Sequence, residues 1–297
     1  MLIDELCRKE EGLVIFDLDM APEFIERYKS KAVLVKGDVT NVTELIRVIK
    51  DNHVKRIVHL ASLLAYSSQL RPMDAFKVNL GGTLNVLESC RIMDVERVVF
   101  ASSEAVYGPT DEDKVVDEGY PKNPDSIYGI TKLASELFGV NYHESYGIDF
   151  VALRFRLIYG PGRVRGNRLI EPLILNPLKG EPAKVPGGSQ KYDPLYDKDA
   201  VNALVLALFA GNLKHRAYNI GSGEMVSLQE IASIVKKYIP DAVIQISPGH
   251  TIGCSVKGPF SLELARKDLG YQPRYSIEDG VKDFIARVTQ KHKMVSG

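Results

Sequence analysis

Several features that would narrow the function of this chain are scarce or missing. Cys7, Cys90 and Cys254 are odd in number and far apart. That argues against a disulfide framework and fits a reducing compartment, so a cytoplasmic location is expected. The six histidines are scattered without ligand spacing, and no metal is expected. The longest apolar run, Ala203–Ala210, falls far short of the ~20 residues that span a membrane. Acidic Asp4 and Glu5 stand where a signal peptide would turn apolar. Basic and acidic side chains balance at 38 each, which leaves no electrostatic footprint for nucleic acid or a membrane surface. No internal repeat or low-complexity tract is present.

What remains is the composition of a globular protein, 297 residues with 45% hydrophobic and 26% charged. That length suits one large α/β domain or two modest ones. Strand-like apolar runs at 13–16, 32–36, 56–61, 97–102 and 149–155 alternate with helical patterns, among them 79–90 and 128–146. This alternation predicts a doubly wound parallel sheet. After Gly160 the chain turns rich in glycine and proline as far as residue 195, with one helical pattern near 169–175. Ala217–Gly223 reads as a strand and turn, Ser227 with Glu230 caps a helix, and Ser276 opens the last one. The expected division is a dinucleotide-type domain over 1–160, to which 190–222 returns, and a smaller substrate region over 161–189 and 223–297.

Two places carry chemistry. Among fourteen tyrosines only Tyr128 has a lysine four residues on, Lys132. On a helix that spacing puts both on one face, where the cation favours the phenolate and makes Tyr128 a general acid/base for a substrate hydroxyl. The spacing alone is weak, since a surface helix supplies it by chance. Context strengthens it: Ser102 and Ser103 end a buried strand, at the edge of such a sheet where ligands bind. Serines there also serve as turn caps.

Taken together, these segments resemble the extended short-chain dehydrogenase/reductases, the NAD-dependent sugar epimerase/dehydratase group. The resemblance runs from about Leu2 to Phe284 and rests on ordered motifs. These are Phe16-Asp17, Gly37-Asp38-Val39, His59-Leu-Ala-Ser62, Asn79, Ser102-Ser103, Val106-Tyr-Gly108, Tyr128 with Lys132, Leu153-Arg154, Tyr159-Gly-Pro-Gly162, Tyr196 with Asp199, and Tyr218–Gly223. It implies NAD as cofactor and a sugar or nucleotide sugar as substrate, most specifically 4-epimerisation. The alternatives are a dehydrogenase of a smaller polyol, uronate or hydroxy compound, and a non-catalytic homologue. It casts Tyr128 as acid/base, with Lys132 tuning it and holding the nicotinamide ribose, and Ser103 orienting substrate. Asp17 would take the adenosine ribose, Asp38 and Val39 the adenine, and Leu60, Ala61 and Asn79 the cofactor's path. Paired helices around 79–91 and 128–146 would form a homodimer.

Departures from the family pattern matter equally. A first strand and Gly-x-x-Gly-x-x-Gly turn should precede Asp17 by about 20 residues, and neither stands before it. Gly160–Gly166 is no replacement, because Pro161 stiffens it and no strand ending in an acid follows. The strands that would flank the missing one are therefore expected to keep unpaired edges or close together, and the chain as written to bind NAD poorly. Binding should return with an upstream in-frame extension encoding that strand and turn. Diphosphate-gripping arginines of the family fall at Tyr192 and near Lys257–Phe260, and the asparagine before Val-Tyr-Gly falls at Leu157. Arg156, Arg163, Arg165 and Arg168 are candidate substitutes, each otherwise a solvated surface arginine. Glu104-Ala105 stands where a 4,6-dehydratase needs Asp-Glu, which argues against dehydration.

Overall fold

The computed structural model describes residues 1–9, 12–162, 169–249 and 257–295. The chain divides into two compact units. Unit 1 comprises 1–106, 124–154 and 201–218; unit 2 comprises 107–123, 155–200 and 219–297. The segment that returns to unit 1 is thus 201–218, narrower than the 190–222 expected, and 107–123 joins unit 2 rather than the first domain.

Unit 1 opens with α1 (Leu2–Lys9), β1 (Val14–Asp17), α2 (Pro22–Tyr28), β2 (Val33–Lys36), α3 (Val42–Asp51) and β3 (Arg56–His59). A broken helical stretch follows: α4 (Ala65–Leu70), α5 (Pro72–Ala75), a π-helical turn (Phe76–Gly81) and α6 (Gly82–Met93). Then come β4 (Arg97–Ser103), α7 (Ile127–Tyr146) and β5 (Asp149–Phe155). In unit 2 lie β6 (Leu157–Tyr159), α8 (Glu171–Leu178), β7 (Ala183–Val185), β8 (Lys191–Tyr192) and β9 (Pro194–Tyr196). α9 (Asp197–Phe209) and β10 (Ala217–Ile220) lead through unit 1 and back. Unit 2 closes with β11 (Val226–Ser227), α10 (Leu228–Tyr238), β12 (Ile244–Ile246), α11 (Glu263–Leu269) and α12 (Ile277–Val295).

The expected α/β class with a parallel sheet is borne out. A four-stranded sheet runs β10-β5-β4-β3, while β1 and β2 form a separate parallel pair. Among the described strands β1 bonds only β2, and β3 bonds only β4. Each of these two strands keeps an open edge among the described residues. Burial agrees, since β4 and β5 are almost wholly buried whereas Val14, Ile15, Phe16, Ile57 and Val58 are only half-buried. What joins the two sheets is side-chain packing. Phe16 and Val39 pack, with Ile57, on a core that includes Leu45, Ile49, Leu87, Val98, Phe100 and Phe150.

Capping explains where the site-bearing helices start. The Ser126 hydroxyl accepts the Gly129 N–H at 3.1 Å, and Gly147 ends α7 in the left-handed region at φ 76°. Asn41 caps α3 by accepting from Thr43 and Glu44. The Glu44 carboxylate accepts from the Asp38 N–H and the Asn41 side-chain amide at 3.0 Å each, tying the loop after β2 to the helix. Ser227 and Glu230 do form the reciprocal box at α10. Unit 2 has its own core, with Tyr159, Leu173, Tyr196, Ile231 and Phe284 among its members.

Candidate active site

The carboxyl ends of β1, β2, β3 and β4 carry, in turn, Asp17, Gly37-Asp38, Leu60-Ala61 and Ser103, all within unit 1. Asp17 is exposed, and its carboxylate accepts the Asp19 N–H at 3.2 Å. Asp38 accepts from Thr40 at 2.9 Å. The turn that holds it must be glycine at position 37, because a Cβ there would lie 2.3 Å from the Phe16 ring. Val39 rests on Gly82 of α6, where a Cβ would meet it at 2.8 Å, and Asn85 donates to the Val39 carbonyl. Leu60 is left 49% exposed at the end of β3, an apolar surface without a cover in unit 1.

Asn79, expected along the cofactor's path, is held by hydrogen bonds. It is buried in the π-helical turn, accepts the Leu63 N–H at 2.7 Å, and donates to the Leu63 carbonyl and to Thr131 at 3.1 Å each. It clamps the loop after β3 onto α7. A wide turn of this type presents one side chain out of helical register, which is why such turns recur at functional sites.

Tyr128 and Lys132 share a face of α7, the Lys132 Nζ lying 5.5 Å from the centroid of the Tyr128 ring and 4.6 Å from that of Phe100. Tyr128 is half-buried, whereas Lys132 is only 3% exposed and donates to the Ala101 carbonyl at 2.6 Å. Burial pulls the Lys132 ammonium down and the Glu136 carboxylate opposes the fall, the balance lying at about 7. The close approach of α7 to the end of β4 depends on Gly129, whose added Cβ would stand 2.4 Å from the Ala105 carbonyl. Ser103 does act as a turn cap, accepting the Ala105 N–H at 3.3 Å, which leaves its own O–H to donate.

Two buried side chains beneath this set, Glu136 and Arg154, were not legible in the sequence as parts of the site. Ser102 donates to Glu136, and Arg154 grips the same carboxylate through Nε at 3.0 and 3.1 Å and a terminal nitrogen at 2.6 Å. Spacing gives a hint for Glu136, since it stands four residues beyond Lys132 on the same helix. His59, also buried, contacts Thr83 at 3.1 Å. Thr83 spends its proton on the Asn79 carbonyl, so His59 must donate through Nε2–H.

In unit 2, of the two readings left open for Arg156, the solvated surface arginine is excluded. Arg156 is buried, 3.4 Å from Asp193 and 4.7 Å from the Phe260 ring centroid. Arg163, Arg165, Arg168 and the Gly160–Gly166 turn beyond Gly162 lie outside the described residues. Tyr192 and Lys257, at the positions of the family's diphosphate arginines, donate to the Gly187 and Gly108 carbonyls. Leu157 lies in β6, paired with Pro194.

Residues 4–221 match the model of the NAD dependent epimerase/dehydratase family, well over half of the chain. The chain belongs to that family. A putative UDP-glucose 4-epimerase of Methanocaldococcus jannaschii is 29% identical over 289 residues, covering 96% of this chain and 92% of the relative. MoeE5, solved in complex with UDP-glucose and NAD, is 28% identical with a TM-score of 0.85 over 98% of this chain and 94% of its own. UDP-glucose 4-epimerase of Thermus thermophilus, solved with NAD, is 26% identical with a TM-score of 0.85, covering 96% and 93%.

The family implies NAD, and the residues present fit it at both ends. The exposed Asp17 suits ribose hydroxyls, and an acid there disfavours a 2′-phosphate. Leu60 offers an apolar ledge, and Ser103, Tyr128 and Lys132 suit the nicotinamide end. For the pyrophosphate between, no glycine-rich strand-to-helix turn is found among the described residues. No described helix is long and apolar enough to cross a membrane. No cluster of metal-ligating side chains occurs among the described residues.

Proposed function

We propose that the chain oxidises and re-reduces a sugar hydroxyl with NAD, as a 4-epimerase of a nucleotide sugar. The observation that carries this reading is the Tyr128–Lys132 pair on α7, packed by Gly129 against the end of β4 that bears Ser103. NAD, when bound, supplies the acceptor and donor of hydride. Tyr128 takes the hydroxyl proton and later returns it. Lys132, as a nearby cation, stabilises the phenolate in a setting of low dielectric. The Ser103 hydroxyl donates to the same substrate oxygen and holds it in line with Tyr128.

The relatives named with UDP-glucose support a nucleotide-sugar substrate. Tyr192 and Lys257 being engaged with backbone carbonyls favours a second reading, net dehydrogenation of a smaller hydroxy compound. Incubation with UDP-glucose and NAD separates them. Epimerisation yields UDP-galactose with no growth of absorbance at 340 nm, whereas net dehydrogenation accumulates NADH. Tyr128→Phe should lower either turnover by roughly 10²–10⁴-fold, the usual share of general acid/base catalysis. Near wild-type turnover in that variant removes Tyr128 from its role.

The proposed assembly is a homodimer. α4 and α5 pack beside α7 and leave Tyr66, Leu70, Met73, Ile130, Leu137 and Phe138 exposed. That much apolar surface on neighbouring helices is suited to a second copy of the same face.

A further inference from the structure

We propose that Glu136 is a positioning residue: fixed by Ser102 and Arg154, its carboxylate holds Lys132 as a cation, in register with Tyr128 and Ser103. The inference deepens the proposed function and rests on it for the role of Lys132.

Three successive residues of β4 divide the work. The Ala101 carbonyl accepts from Lys132, the Ser102 hydroxyl donates to Glu136, and Ser103 is the candidate substrate contact. Two turns of α7 are thereby pinned to the strand that ends in the site. From the opposite side Arg154 of β5 fixes the same carboxylate, with Glu136 3%, Ser102 4% and Arg154 5% exposed. A buried ion pair is a poor stabiliser, since apolar residues of equal volume often serve as well or better. Its place one helical turn from the catalytic lysine therefore asks for another reason.

Charge supplies that reason. The groups set against Lys132 are Tyr128 and Glu136 on α7 and His59 on β3, while Arg154 of β5 meets Glu136. His59 is neutral, because burial, followed by the charge of Lys132, holds it down to about 3. Glu136 is thus the fixed negative charge of the cluster, set against two cations. Burial drives the Lys132 ammonium towards discharge, and the Glu136 carboxylate opposes this. A discharged Lys132 has no charge with which to stabilise a phenolate.

The test is the titration of Lys132 itself, in the full chain with neither cofactor nor substrate, so it stands or falls apart from turnover. Lysine is labelled with ¹³C at Cε, and the Lys132 signal is assigned by its loss in Lys132→Arg. Glu136→Gln, which keeps the hydrogen bonds, should lower the Lys132 midpoint by a full pH unit or more. Arg154→Gln should raise it. Opposite signs mark an electrostatic role, because loosened packing would move both variants the same way. An unmoved midpoint in Glu136→Gln, or shifts of one sign, overturns the proposal. Where a single variant leaves an uncompensated buried charge and fails to fold, Glu136→Gln/Arg154→Gln decides. A Lys132 midpoint below that of the parent chain supports the role, because loss of the carboxylate then outweighs loss of the guanidinium; one at or above it overturns it.

Discussion

Gly129 and His59 show how much a single position can carry. Alanine at 129 would drive its methyl into the Ala105 carbonyl and Pro124, 2.4 and 3.0 Å from the added carbon. The start of α7 would have to withdraw from β4, carrying Tyr128 from Ser103. Misplacement by about 1 Å costs on the order of 10²-fold in rate. Gly129→Ala should therefore lower kcat by about that factor with little change in thermal midpoint, as paired turnover and melting measurements would reveal. His59 governs acid stability. Its folded value of about 3 lies below the ordinary 6.5. The unfolded chain therefore binds the extra proton first, and stability falls as pH drops from about 6.5 towards 3. The loss is on the order of 4 kcal/mol, a large share of a typical ~5–15. His59→Gln should flatten urea midpoints over that interval; an unchanged slope would show that carboxylates dominate. Tyr128, Lys132 and Ser103 were legible in the sequence because their chemistry is written in residue type and spacing. Asn79 was not, because its burial follows from a wide helical turn that no local pattern announces.

At the scale of elements, β1–β2 and β3–β4–β5 differ in what holds them. The first pair is attached by side chains such as Phe16 and Val39, the second by a continuous hydrogen-bonded sheet. Amide hydrogen exchange should separate them. Protection of Val33–Lys36 should fall short of that in Val98–Phe100 by a factor of 10 or more, since a two-stranded piece opens without unfolding the rest. Equal protection would mean that the two sheets open as one. The sequence made the long buried strands plain as unbroken apolar runs. The strands of unit 2 were missed. β7, β8, β9, β11 and β12 are two or three residues each and lie among glycines and prolines, too short for a period of two to register. The bond from the Asp38 N–H to Glu44 was not legible either, because it is set by the tertiary path of the loop.

For the molecule as a whole, two measurements bear on assembly and cofactor. Light scattering at micromolar concentration should give twice the mass of the 297-residue chain, and Leu137→Glu with Phe138→Glu should return the monomer. A monomeric parent would rule out the dimer. Calorimetric titration of NAD should give binding weaker than micromolar, because the ends of the dinucleotide find partners while its pyrophosphate has none among the described residues; micromolar affinity would point to a phosphate site elsewhere. The divided sheet has one more consequence, and it concerns shelf life rather than catalysis. The free margins of β1 and β3 are rows of backbone donors and acceptors flanked by Val, Ile and Phe, the pattern that recruits strands from neighbouring molecules. Arg56 at one end of β3, Asp17 at the end of β1 and Asp19 beyond it are charges that guard them. Concentrated solutions should therefore cloud on standing, faster when salt screens those charges, and thioflavin fluorescence should rise with the turbidity.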